Sequence, residues 1–198
     1  MNKNEIDFFD RISESWDADE ILSTPDRIRS ILGKLEIMPG MNILDLGTGT
    51  GVLVPYLHAL TAPDGNVTAV DISHGMLSKA IAKYGDLQRV KFVESDFETS
   101  EVVGTFDLIL LYSVYPHLHE PEKTLKKIGQ NLNRGGRIVI AFPTDENFIN
   151  GIHRERKAES DLLPPAHALA ARIESWGMKA KVTEATANEY IVEISLGN

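Results

Sequence analysis

The fold is decided by one stretch of the chain, ILDLGTGTG at residues 43–51. Its apolar first half is typical of a buried strand, and it runs directly into a loop with glycine at every second position: Gly47, Gly49 and Gly51. Glycine lets a ligand approach the backbone closely, and a helix that starts after the loop points its free N–H groups at an anion. The stretch therefore predicts a ligand-binding loop between a strand and a helix.

Two common nucleotide-binding motifs do not fit this loop. The dinucleotide fingerprint G-x-G-x-x-G needs glycine at position 52, where the chain has Val52. A phosphate-binding P-loop needs a Gly-Lys-Ser/Thr sequence, which does not follow. Residues farther along the chain must therefore identify the ligand.

Strand and helix patterns alternate from residue 42 onward. Between helices, short apolar strands are predicted at residues 42–46, 67–72, 90–94, 106–112 and 137–142. This alternation predicts a parallel sheet that is covered on both faces. Two further β-like segments, residues 178–184 and 189–196, are close enough to form an antiparallel hairpin. We therefore predict an α/β fold with a doubly wound, mostly parallel, seven-stranded Rossmann-like sheet and an antiparallel C-terminal edge hairpin.

The residues before the glycine loop predict two helices. The first has an apolar face formed by Ile6, Phe9, Ile12 and Trp16, which recur at helical spacing. The second starts at residues 24–26, where a capping threonine precedes a proline and an acid.

Composition excludes several classes of protein. The chain has 198 residues, 42% of them hydrophobic, with 20 Lys and Arg against 29 Asp and Glu and a formal net charge of −9. Such an acidic chain is a poor ligand for polyanions, so we expect no nucleic-acid partner. It has no cysteine, which excludes disulfides and thiolate chemistry. No apolar run approaches the roughly 18 residues of a membrane span and no signal peptide is recognisable, so we expect a cytoplasmic protein.

The glycine loop and four later motifs together resemble class I S-adenosylmethionine-dependent methyltransferases. Asp45, two residues before the loop, completes the first motif of that family, and Asp71 ends the second strand 20 residues after Gly51. The other matches are Ser95-Asp96-Phe97 at the end of the third strand, residues 106–109 in the fourth, and residues 133–137 before the fifth. The resemblance covers residues 40 to 142 in order and spacing.

This resemblance implies S-adenosylmethionine as cofactor, with S-adenosylhomocysteine as product. It implies that Asp71 accepts hydrogen bonds from the ribose hydroxyls and that Asp96 accepts from the adenine amino group. Ile72 and Met76 lie where the adenine ring could be sandwiched. The candidate cofactor-binding residues are Asp45, Gly47, Thr48, Gly49, Gly51, Asp71, Ile72, Met76, Asp96, Phe97 and Leu111.

The N-terminal residues 8–17 resemble the opening of small-molecule members of the family, such as the ubiquinone/menaquinone-biosynthesis type. An N-terminal helix covers the cofactor in that group, which implies that Phe9 and Trp16 are lid residues. We therefore expect a single domain over residues 1–198. Its parts are an N-terminal helical lid at 1–38, a cofactor-binding core at 41–142, and an acceptor region with the edge hairpin at 143–198.

The acceptor is expected at the carboxyl ends of the strands, where doubly wound sheets bind ligands. Methyl transfer is an in-line attack that needs a base only when the acceptor must lose a proton. His117 is the candidate base, since imidazole titrates near neutral pH. The candidate acceptor residues are Tyr112, Ser113, Tyr115, Phe148, His153 and Arg154. We expect no metal, because His117 and His119 lie outside any HExxH motif.

Two other functions stay open at this point. One is an NAD(P)-dependent oxidoreductase, which Val52 disfavours. The other is a protein that binds S-adenosylmethionine without turnover. The acceptor itself, the kind of atom methylated and the oligomeric state are not indicated by the sequence.

Overall fold

The sheet follows the doubly wound pattern that the sequence predicts. The computed structural model describes residues 3–19, 23–155 and 162–196. Within those residues one sheet contains β1 (Asn42–Leu46), β2 (Asn66–Asp71), β3 (Val90–Glu94), β4 (Phe106–Tyr112), β5 (Leu132–Phe142), β6 (Lys179–Thr186) and β7 (Glu189–Ser195). Their spatial order is β3-β2-β1-β4-β5-β7-β6. The first five strands are mutually parallel, and β7 is antiparallel to both β5 and β6, which confirms the predicted fold class.

The helices connect these strands and flank the sheet. They are α1 (Lys3–Ile12), α2 (Trp16–Asp19), α3 (Pro25–Gly33), α4 (Val54–Thr61), α5 (His74–Tyr84), α6 (Pro121–Gly129), α7 (Glu146–Glu155) and α8 (Ala166–Ser175), with a 3-10 turn at Tyr115–His117. Two helix starts follow from local chemistry. Thr24 and Ser73 each accept a backbone N–H bond, from Arg27 and Met76 respectively, because a hydroxyl satisfies an unpaired donor of the first turn.

Two apolar clusters cover the two faces of the sheet. On one face, α3 and α4 pack against β1 and β4 through fully buried side chains such as Ile31, Leu57 and Leu108. On the other face, α6 and α8 pack through side chains such as Ile128 and Leu169. Burial on both faces explains why the parallel strands read as continuous apolar runs.

The N-terminal region differs from the sequence pattern in two respects. The helix predicted from Ile6 to Trp16 ends at Ile12, and a turn in which the Ser15 N–H donates to the Ile12 carbonyl separates it from α2. Within the predicted lid at 1–38, α3 is part of the buried core. Within the described part of residues 1–38, α1 and α2 contribute no residue to either buried cluster and so lie outside the packed layers of the sheet.

A membrane span requires a long helix of high mean hydropathy. None of the described helices is long and apolar enough to cross a bilayer.

Candidate functional site

A pocket opens where β1, β2, β4 and β5 end. The glycine loop and Asp71 form one side, and residues 112–114, Phe142 and α7 form the other. Phe9 and Trp16 from the N-terminal segment complete its wall. Because the carboxyl ends of parallel strands meet at one edge of the sheet, residues from distant parts of the chain meet there.

Glycine is needed at Gly49 and at Gly51 for different structural reasons. All three have positive φ, +71° at Gly47, +57° at Gly49 and +82° at Gly51. A methyl group placed on Gly49 would meet no atom within 4 Å, and this glycine lines the pocket. A methyl group on Gly51 would lie 3.0 Å from the side chains of Ala80 and Tyr84. Gly51 therefore allows close packing against α5 and does not line the pocket.

Asp71 is held rigidly at the end of β2. One carboxylate oxygen accepts the Gly49 N–H at 2.7 Å, and the other accepts the Ser73 N–H at 2.8 Å. Burial raises the pKa of Asp71, and these backbone hydrogen bonds act against that shift. Each oxygen retains a second lone pair, so the carboxylate can still accept bonds from a ligand.

Asp45 is a second buried carboxyl group beside the loop. It is 1% exposed and accepts a hydrogen bond from the Thr48 hydroxyl at 2.6 Å. Burial raises the pKa of Asp45 to about 7, although the Thr48 bond favours the ionised form. A cation in the pocket would also favour the ionised form.

The remaining candidate cofactor residues divide into two groups. Ile72, Met76 and Phe97 line the pocket and supply apolar surface next to Asp71. Asp96 and Leu111 do not line it. Asp96 accepts the Glu98 N–H at 2.9 Å, and Leu111 is fully buried in the core on β4. The structure therefore does not bring Leu111 to the pocket, because successive strand residues point to opposite faces and its neighbour Tyr112 takes the pocket side.

The N-terminal segment is fixed over the pocket by polar contacts to α5 and the loop. The Asp10 carboxylate accepts from the Ser73 hydroxyl at 2.6 Å and from the Gly75 N–H at 2.9 Å. The Ser73 bond lowers the pKa of Asp10 below its usual range. Asp17 accepts from the Thr50 hydroxyl at 2.6 Å.

Charge pairs reinforce this attachment. Asp17 pairs with Lys83 at 2.7 Å, and Glu14 pairs with Lys79 at 2.5 Å. The contacts hold Phe9 and Trp16 at the pocket, with ring centroids 6.0 Å apart. The three acids and two hydroxyls that form these contacts were not among the predicted site residues, since the contacts are tertiary.

The acceptor side contains two histidines in ring contact. His117 lies in the 3-10 turn after β4, with its ring centroid 5.5 Å from Phe9 and 5.4 Å from His153 of α7. Ser113 lines the same wall and has a positive φ of +59°. Tyr112 donates a hydrogen bond to the Ser23 hydroxyl at 3.2 Å.

Three candidate acceptor residues lie elsewhere. Tyr115 is 4% exposed within the core cluster, and Phe148 and Arg154 are exposed on α7. The helix turns residues 149, 152 and 153 toward the pocket instead. The spacing i, i+3, i+4 in the sequence contained that signal, because it marks one face of a helix.

His119, the other histidine of the HLHE sequence, has a structural partner. Its ring Nδ1 and backbone N–H both contact the Glu98 carboxylate at 3.1 Å. Burial tends to raise the pKa of Glu98, but the bonds from His119 and Thr124 dominate and bring it to about 2. Among the described residues, no three His, Asp or Glu side chains lie together as a metal site would require.

A family comparison bears directly on this arrangement. Residues 37–189 match the family model described as a methyltransferase domain, which is more than half of the chain. The chain belongs to this methyltransferase-domain family. The resemblance on which the sequence interpretation rests is thereby confirmed, and the oxidoreductase alternative loses its support.

Curated relatives carry methyltransferase names. The malonyl-[acyl-carrier protein] O-methyltransferase of Anoxybacillus flavithermus is 30% identical over 130 residues, which is 66% of this chain and 49% of the relative. The demethylmenaquinone methyltransferase of Symbiobacterium thermophilum is 31% identical over 142 residues, which is 67% of this chain and 56% of the relative. The chain thus spans about half the length of these relatives.

Solved structures share the fold. A DhpI complex with SAH has a TM-score of 0.77 at 18% identity, covering 97% of this chain and 95% of the other. A SAM-dependent methyltransferase from Aquifex aeolicus has a TM-score of 0.69 at 22% identity, covering 87% and 94%. At these identities the likeness concerns the architecture.

Proposed function

We propose that this protein is an S-adenosylmethionine-dependent methyltransferase that acts on a small-molecule acceptor. The observation that carries the proposal is Asp71, which two backbone N–H groups fix at the end of β2 beside the open face of Gly49. A carboxylate at this position of a doubly wound fold suits the two hydroxyls of a ribose. The family match and the names of the relatives support the same activity.

The residues of the pocket fit this cofactor. The space at Gly49, where an added side chain would meet nothing of the protein, leaves room for a ligand against the backbone. Met76 and Phe97 offer apolar surface suited to an adenine ring. Asp45, buried and hydrogen-bonded to Thr48, is suited to a cationic group.

The protein's contribution to the reaction is alignment and exclusion of water. When bound, S-adenosylmethionine supplies a methyl group on a positively charged sulfonium, which an acceptor atom attacks in line. Phe9 and Trp16 cover the pocket and exclude water from it. His117 is placed to accept a proton from an acceptor that must lose one.

A small acceptor suits the shape and charge of the protein. Phe142, Ile149 and Ile152 form apolar walls on the acceptor side, and Ser113, His117 and His153 are polar groups beside them, a combination typical of small-molecule sites. The net charge of −9 does not favour a nucleic acid. One relative is named for demethylmenaquinone, and another is named for a malonyl group that is attached to acyl-carrier protein.

Titration calorimetry with S-adenosylhomocysteine tests the cofactor. We expect binding by the wild type and a tenfold to hundredfold weaker affinity for Asp71→Asn, about 1.5 to 3 kcal/mol for a lost charged acceptor. Asp64→Asn, a change of an exposed acid in the turn before β2, should bind like the wild type. Equal affinity of Asp71→Asn and the wild type would contradict the proposed ribose site.

Transfer of a labelled methyl group from S-adenosylmethionine to members of an acceptor panel tests turnover. Binding without transfer to any member would favour the cofactor-binding protein without activity. Binding of NADH in competition with S-adenosylhomocysteine would instead support an oxidoreductase.

A further inference from the structure

Two histidines from separate elements meet at the acceptor side of the pocket. The His117 ring follows β4, and the His153 ring lies in the last turn of α7. Their centroids are 5.4 Å apart with planes inclined by 36°, and both residues line the pocket. The Phe9 ring lies nearly perpendicular to the His117 ring, with the two centroids 5.5 Å apart.

Proximity couples the protonation of the two rings. Two imidazolium ions at this distance repel each other, so protonation of one ring disfavours protonation of the other. One ring of such a pair can accept a proton from a ligand while the other donates a hydrogen bond to it.

Among the described residues, no lysine or arginine side chain lines this pocket. Its titratable side chains on the cofactor side are Asp45 and Asp71, and Tyr112 lies on the acceptor side. From α1 the neighbour of His117 is the uncharged ring of Phe9.

Aromatic and aliphatic side chains surround the pair. Phe142 and Tyr112 come from the strand ends, and Ile149 and Ile152 lie on the same face of α7 as His153. A planar ring can be held between such walls while its polar edge contacts the histidines.

We propose that the acceptor is a planar molecule with an acidic hydroxyl, a phenol or an enol, and that His117 and His153 act on that hydroxyl as a coupled pair. This inference rests on the proposed methyltransferase function and deepens it. It assigns oxygen as the methylated atom and His153 as a second acid–base residue.

The proton balance of the step is simple. The acceptor oxygen loses its proton to His117 as it gains the methyl group that leaves the sulfonium, so one O–H and one S–C bond break while one N–H and one O–C bond form. His153 remains neutral while His117 is charged and donates a hydrogen bond to the acceptor. The imidazolium then releases one proton to solvent, in balance with the neutral thioether product.

The probe is 4-nitrophenol, whose ionised form has its own visible absorption. It is added to protein that is saturated with S-adenosylhomocysteine, at a pH below the midpoint for the free probe. We expect bound 4-nitrophenol to be ionised about tenfold more than free probe, because an imidazolium beside the phenolate favours the charged form by about one pKa unit.

Matched variants distinguish an effect of the two pocket histidines on the ionisation of the probe from an effect of any histidine on the protein. His117→Gln and His153→Gln should each reduce the ionisation of the bound probe toward that of free probe. His167→Gln, which changes an exposed histidine of α8, should behave as the wild type. Calorimetry with S-adenosylhomocysteine checks that each variant is folded, and His117→Asn is the second variant at that position.

Every outcome bears on the proposal. Loss of the excess ionisation in both pocket variants, with cofactor binding intact, supports it. Excess ionisation that survives His153→Gln overturns the pair and leaves His117 acting alone. Absence of probe binding, or binding with unchanged ionisation, while S-adenosylhomocysteine still binds, overturns the acceptor class. Failure of S-adenosylhomocysteine itself to bind overturns the proposed function, and calorimetry alone reveals that failure.

Discussion

Asp45 makes the stability of this protein depend on pH, and its environment determines the sign. The carboxyl group is 1% exposed at the end of β1, and burial raises its pKa from 3.8 to about 7. Between these two pH values the folded protein keeps a proton that the unfolded chain has released. Asp45 therefore lowers the free energy of unfolding progressively as the pH rises from about 4 to about 7. Above that range the carboxyl group is ionised in both the folded and the unfolded protein, so its contribution no longer changes with pH.

The size of the effect follows from the same two values. A difference of about three pKa units corresponds to about 4 kcal/mol of differential stability. Asp45→Asn keeps the side chain neutral at every pH and removes this contribution. The raised pKa of Asp71 acts in the same direction, so the variant retains part of the pH dependence.

Urea denaturation of the wild type and Asp45→Asn at several pH values between about 4 and 8 measures the difference. We expect the stability of the variant relative to the wild type to rise by up to about 4 kcal/mol across that range. Asp64→Asn, at an exposed turn, is the matched control and should follow the wild type. Parallel pH profiles for Asp45→Asn and the wild type would refute the reasoning.

Three further changes test other parts of the structure. Gly49→Ala and Gly40→Ala each place a side chain at positive φ in open space, so each variant should lose about 1 to 2 kcal/mol of stability. In calorimetry, Gly49→Ala should weaken the binding of S-adenosylhomocysteine, whereas Gly40→Ala should not. Similar binding by both variants would mean that the pocket at Gly49 takes no ligand. Asp10→Ala removes the acceptor for the Ser73 hydroxyl, which should cost about 1 kcal/mol of local stability in the N-terminal segment. Amide exchange of residues 6–12 should therefore become about fivefold faster. Unchanged exchange would argue against this attachment. Glu98→Gln should lower the free energy of unfolding by about 1 to 2 kcal/mol at neutral pH. In thermal melts that difference should shrink as the pH falls toward about 2, where the wild-type carboxylate takes up its proton. A difference that stays constant with pH would contradict this prediction.

The sequence predicts the parts of the site that depend on local order. The glycine loop, Asp71 at the end of β2 and the cap at Ser73 lie where strand, turn and helix rules place them. These features need no knowledge of distant contacts, because a strand end and a helix start fix the backbone between them. Met76 follows for the same reason, one turn into α5.

The errors arise where the orientation of a side chain depends on strand phase or on packing. Leu111 and Tyr112 are adjacent, and period-2 alternation gives the pocket to only one of them. Tyr115 lies in a 3-10 turn that directs it into the core. On α7 the phase of the helix brings His153 inward and leaves Arg154 exposed, and the only sign of that phase in the sequence is the i, i+3, i+4 spacing that His153 shares with Ile149 and Ile152.

The contacts of the N-terminal segment connect the two halves of the pocket. Ser73 donates its backbone N–H to Asp71 and its hydroxyl to Asp10, so one residue joins the proposed ribose carboxylate to α1. The residue next to Asp10 in the chain is Phe9, whose ring packs against His117. The path of contacts from Asp71 to Phe9 therefore passes through two residues, Ser73 and Asp10, before it reaches the ring that packs against the proposed base. Since Asp10 is kept ionised by the Ser73 bond, the attachment is retained at neutral pH, and Phe9 is held over the acceptor side by the same groups that shape the cofactor side. This continuity explains why a segment with little buried apolar surface of its own is ordered over the pocket: its position is set by charged hydrogen bonds to a helix N-terminus, where a carboxylate is favoured.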